Sequence, residues 1–104
     1  MRAVTVALAL ALVASPSLAE VDPDSGMALG NHCADDGPEA FGGVFCLGFI
    51  DAAGDFAEAC PSGVTTLGQT VAVVRKYLAD HPERLHERAS YLVVEAIEGA
   101  WPCP

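Results

Sequence analysis

The chain has 104 residues, with 14 Asp or Glu against five Lys or Arg and a formal net charge of −9. So acidic a surface repels nucleic acid and anionic lipid, which excludes nucleic-acid binding and favours basic partners. The length allows one domain with a modest core, of the kind that often needs covalent staples.

Met1-Arg2 supplies a short positive start, Ala3 to Ala14 is a run of Ala, Val, Leu and Thr, and Pro16 breaks it before Ser17-Leu18-Ala19. This order predicts a secretory signal peptide over residues 1–19, cut between Ala19 and Glu20. The run is shorter than the roughly 20 residues that cross a bilayer, and no later stretch is longer, so no membrane span is expected. Residues 20–104 then form a single helical domain outside the cytoplasm, which in a bacterium means the periplasm. Losing Arg2 with the leader takes the formal charge one unit below −9.

After a loose acidic leader, a short first helix is expected over Ser25–Cys33 with Ser25 as N-cap, and Asp35-Asp36-Gly37-Pro38 is a turn. From Glu39 to Ala59 the apolar residues recur at helical spacing. Phe45, Phe49, Ala52, Ala53 and Phe56 share one face, and Asp51, Asp55 and Glu58 another; Val44 to Ile50 could alternatively be a strand. Gly42, Gly43, Gly48 and Gly54 weaken this helix by up to about 1 kcal/mol each relative to Ala, a cost usually offset by close approach of a neighbouring backbone.

Thr66-Leu67-Gly68-Gln69 matches a capping box, in which Thr and Gln side chains satisfy each other's backbone amides. Leu67, Val71, Val74 and Leu78 follow as an apolar stripe. Asp80-His81-Pro82 turns the chain, with Pro82 suited to the first position of a fourth helix. Leu85, Ala89, Leu92, Val93, Ala96, Ile97 and Ala100 give that helix a buried face. The fold class is all-α: a small disulfide-stapled bundle of three main helices plus a short leading one.

Cys33, Cys46, Cys60 and Cys103 make an even count in a short exported chain, which predicts two disulfides. Three pairings are open. Consecutive helices that alternate in direction favour Cys33–Cys46 with Cys60–Cys103, because each pair then shares an end of the bundle.

Chemistry finds little support. Cys–His catalysis needs a free thiol within reach of an imidazole, and disulfides use all four thiols. No C-x-x-C clip is present, and His81 and His86 lie about 140° apart around a helix, so no metal or cofactor is expected and the chain is read as a non-enzyme. Asp51 and Asp55 could form an acid/base pair, a cation site or part of a docking face. Arg84, Arg88, Tyr91, Glu95 and Glu98 recur along one face of the expected fourth helix. They form either a solvated face or a contact surface, since Arg and Tyr are favoured at interfaces.

Phe45-Cys46-Leu47-Gly48-Phe49-Ile50-Asp51, Cys60-Pro61-Ser62-Gly63-Val64-Thr65, the stretch Val74 to Glu83 (VRKYLADHPE) and Ala100-Trp101-Pro102-Cys103 together resemble the Rap/Tai-type immunity proteins. The resemblance runs from about Met27 to Cys103. It implies a small periplasmic helical protein that protects against a type VI secretion effector, commonly a peptidoglycan amidase. It further implies a non-enzymatic inhibitor that plugs the amidase cleft, with a homodimer among the arrangements. A competing reading from a different class is an acid-stress periplasmic chaperone, because protonating the carboxylates would reverse the net charge and loosen a small fold.

Overall fold

The computed structural model describes residues 21–34 and 41–104, together with Ala3. The expected signal peptide, Ala3 apart, the turn at Asp35–Pro38 and the expected start of the second helix at Glu39 lie outside the described residues. The rest forms four helices: α1 Gly26–Ala34, α2 Phe41–Gly54, α3 Leu67–Asp80 and α4 Ala89–Ala100, with a 3-10 turn at Pro82–Arg84. Among the described residues there is no strand, and Ser25 and Arg88 form an isolated antiparallel bridge. The all-α bundle read from the sequence is the fold observed.

α1 starts where Ser25 caps it. The Ser25 hydroxyl donates to the Asp22 carbonyl at 2.7 Å and accepts from the Ala28 N–H at 3.2 Å. The next amides cross to the far end of the chain: Gly26 N–H donates to the Glu87 carbonyl and Met27 N–H to the Leu85 carbonyl, each at 2.9 Å. In return Ala89 N–H donates to the Asp24 carbonyl at 2.7 Å. The unpaired amides at the starts of α1 and α4 therefore satisfy each other's approach segments.

This exchange corrects the expected start of the fourth helix. Pro82 opens a 3-10 turn, and α4 begins at Ala89 with Arg88 as its N-cap. A helix running on from Pro82 would need the Leu85 carbonyl for its own ladder, but that carbonyl is held by Met27. Arg84 is consequently in the turn and not on α4.

α3 forms as its capping box predicts. Gln69 N–H donates to Thr66 Oγ1 at 3.2 Å, and Thr66 N–H donates to Gln69 Oε1 at 2.8 Å. Val74 and Leu78 carry its buried centre.

α2 departs most from expectation. It is apolar on nearly every side, so periodicity alone does not select the buried face. The core takes Cys46, Ile50 and Ala53, whereas Phe45 is 38% exposed, Ala52 is exposed, and Phe56, beyond the helix end at Gly54, is 82% exposed. The face read as Phe45, Phe49, Ala52, Ala53 and Phe56 is thus split between core and solvent. Gly48 faces open space, so the neighbouring backbone expected to offset it is not there.

Leu29, Ile50, Val74, Leu92 and Val93 form the fully buried centre, at least one from each helix. Cys33 bridges Cys46 with Cα atoms 5.0 Å apart, and Cys60 bridges Cys103 at 4.8 Å, the pairing favoured by alternating helices. α2 and α4 run in the same direction. A Cβ on Gly54 would lie 3.2 Å from Ile97 Cδ1, and Cys60 N–H donates to the Trp101 carbonyl at 2.9 Å. Both helices therefore end at the bridged pole.

Candidate partner-binding site

Because α2 and α4 lie side by side and only part of α2 is buried, an apolar groove of about 680 Å³ remains between them. Phe49, Ala52 and Phe56 line it from α2 and its exit, and Tyr91, Val94 and Glu95 from α4. Tyr91 is 63% exposed, and the Arg88 guanidinium sits 5.6 Å from its ring centroid. Arg88, with Asp24, borders the starting end of the groove beside Phe49. At the other end Glu58 N–H donates to Glu98 Oε1 at 3.0 Å.

The stripe of Arg84, Arg88, Tyr91, Glu95 and Glu98 therefore separates into two sets. Tyr91 faces the groove and Arg88 borders it. Arg84 instead turns inward: its Nε and Nη2 donate to both oxygens of Glu87 at 2.6 and 3.0 Å, and its Nη1 donates to Glu95 Oε2 and to Tyr77 Oη at 2.5 Å each. Tyr77 also donates to Glu95 Oε2 at 2.9 Å and stacks on His81 at 4.1 Å between centroids. This network fastens α3, the 3-10 turn and α4 together. The Arg84 hydrogen bonds hold the Glu87 and Glu95 carboxyls below their ordinary pKa, with Tyr77 adding to the effect on Glu95. Burial, then the Glu95 carboxylate, raises the Tyr77 phenol, and the Glu87 and Glu95 hydrogen bonds raise the Arg84 guanidinium.

Asp51 and Asp55 lie elsewhere. Both border a separate crevice between the end of α2 and the start of α3, with Thr66, Thr70 and Trp101 among its other walls. The seven residues that the sequence marks, Asp51, Asp55, Arg84, Arg88, Tyr91, Glu95 and Glu98, do not form one surface. Phe56 shares the predicted apolar face of the second helix and Tyr77 has no predicted site role; the exposure of one and the engagement of the other depend on contacts distant in sequence.

All four cysteines are bridged, which leaves no thiolate nucleophile. Among the described residues no group of three His, Cys, Asp or Glu is placed to hold a metal ion.

The fold and groove define the class: a small disulfide-stapled helical domain that presents an apolar face beside a carboxylate-rich rim. A family model, Rap1a immunity proteins, matches residues 25–103. The chain belongs to the Rap1a immunity protein family. Membership points to immunity against a type VI secretion effector, and so to a protein partner; the family is generally non-enzymatic and typically periplasmic. No curated protein and no solved structure matches the chain. Among the described residues no helix is long and apolar enough to cross a membrane.

Proposed function

We propose that the protein is exported by its leader to the periplasm, where it binds a type VI secretion peptidoglycan amidase and occludes the catalytic cleft. The observation that carries this reading is the family match across residues 25–103. The signal-like segment at residues 1–19 and a formal charge of −9 support it. In this role the protein transforms no substrate: inhibition is steric, and the acidic surface speeds encounter with a positive partner. Such steering is screened by salt, so the association rate falls as ionic strength rises while the dissociation rate changes little.

The test is protection of cells. Expressed with its leader, the protein rescues bacteria poisoned by a periplasm-directed cognate amidase, and without the leader it does not. Equal rescue from the cytoplasm, or no rescue from either compartment, overturns the reading.

A further inference from the structure

We propose that the groove between α2 and α4 is where the effector docks, and that it takes a projecting apolar side chain flanked by Lys or Arg. This rests on the immunity reading above and adds to it the surface and the chemistry of the partner. The first support is unspent apolar area. Phe56 at 82% and Tyr91 at 63% exposure stand on the two walls of one groove, with Phe49, Ala52 and Val94 between them. Contiguous apolar patches on a small domain mark interaction sites, and aromatic side chains of this kind dominate binding energy.

The second support is the direction of the helices. α2 and α4 end at the same pole, marked by the Cys60–Cys103 bridge. Two helix C-termini side by side place partial negative charge there. The Glu98 carboxylate accepts from the Glu58 N–H at that pole, and Glu95 lies on the groove wall just before it. Arg84, the cation that reaches Glu95, is shared with Glu87. The opposite end carries Arg88 beside Asp24. An apolar trough with a negative pole selects a ligand whose apolar anchor is followed by a cation. A second copy fits less well, because it brings another chain of formal charge −9 to the same face.

The experiment has two arms. In the first, the probes are a short amphipathic Leu/Lys helical peptide and its Leu/Glu counterpart, followed by amide chemical shifts. The Leu/Lys peptide should shift Ala52, Tyr91 and Val94, and the Leu/Glu peptide should not. Phe56→Asp, at a mostly exposed position past the helix end, and Glu58→Lys, which keeps the backbone bond to Glu98, should each weaken binding by about tenfold or more. Val64→Asp, at a loop residue 97% exposed and off the groove, should bind as wild type does. Helical circular dichroism confirms that each variant folds. Equal binding of both peptides, or undiminished binding by Phe56→Asp, overturns the proposal. So does a concentration-dependent shift of the groove resonances without peptide, which would assign the face to a second copy.

In the second arm the cognate amidase replaces the peptide. If wild type and Phe56→Asp hold it alike, the surface is wrong and the immunity reading stands. If the peptide arm succeeds while wild type retains no amidase, the groove's chemistry stands and the immunity reading falls.

Discussion

Gly26 packs so closely on Leu92 that a Cβ added to it would fall 2.4 Å from Leu92 Cδ1, with the Leu85 carbonyl oxygen 3.5 Å away. Leu92 is 1% exposed and has little room to retreat. Gly26→Ala should therefore destabilise the fold by about 1–3 kcal/mol through overpacking, even though Ala is the better helix former. Urea denaturation measures it; a gain in stability would show that Leu92 repacks freely.

Gly48 is the opposite case. It lies within α2, and a Cβ there would meet nothing within 4 Å. Gly48→Ala should raise stability by about 0.5–1 kcal/mol, the helix-propensity difference between the two residues. A loss in thermal unfolding would mean that α2 is covered at this point.

The Arg84 network predicts a dependence on acid. Glu87 and Glu95 have folded-state pKa values below the ordinary 4.5, so the native state favours their charged forms more than the unfolded chain does. Their contribution is complete above the unfolded value and is lost as pH falls through the depressed folded values. Melting temperature should fall more steeply below about pH 4.5 for wild type than for Arg84→Gln. Asp80, held low by Lys76, leaves the variant a residual slope. Parallel curves would mean that Arg84 adds nothing beyond a surface ion pair.

The two disulfides differ in access. Cys33 and Cys46 are 6% and 3% exposed, while Cys60 and Cys103 lie at the surface. Graded reduction followed by alkylation and mass spectrometry should label Cys60 and Cys103 first. Replacing both with Ser should cost about 2–4 kcal/mol, as expected for loss of a bridge closing a long loop.

The parts of this fold that reasoning from sequence recovers are those governed by neighbours in the chain. Thr66 and Gln69 announce the start of α3 because their reciprocal bonds span three residues. The disulfide pairing is farther-reaching, but alternating helix directions already favour the two bridges observed. The start of α4 does not follow, because the carbonyls of Leu85 and Glu87 are claimed by amides some sixty residues earlier in the chain, at Met27 and Gly26. Pro82 signals a helical start equally well for a 3-10 turn. The candidate site is legible in the sequence only in part for the same reason. Tyr91 stands out as an aromatic on a polar stripe, but α2 is too uniformly apolar to reveal that Phe56 is left to solvent. Arg84 looks outward in the sequence until Tyr77 and Glu95 are brought beside it.

The Cys60–Cys103 bridge, with its sequence separation of 43, encloses α3, the 3-10 turn and α4 in one covalent ring. A protease that cuts the exposed connection near Glu83 opens the ring without releasing a fragment: the two pieces stay tied through the bridge, and the buried faces of α3 and α4 keep them in register. In a compartment rich in hydrolases such a molecule survives a nick as a two-chain species. On a denaturing gel it migrates intact until a reductant is added.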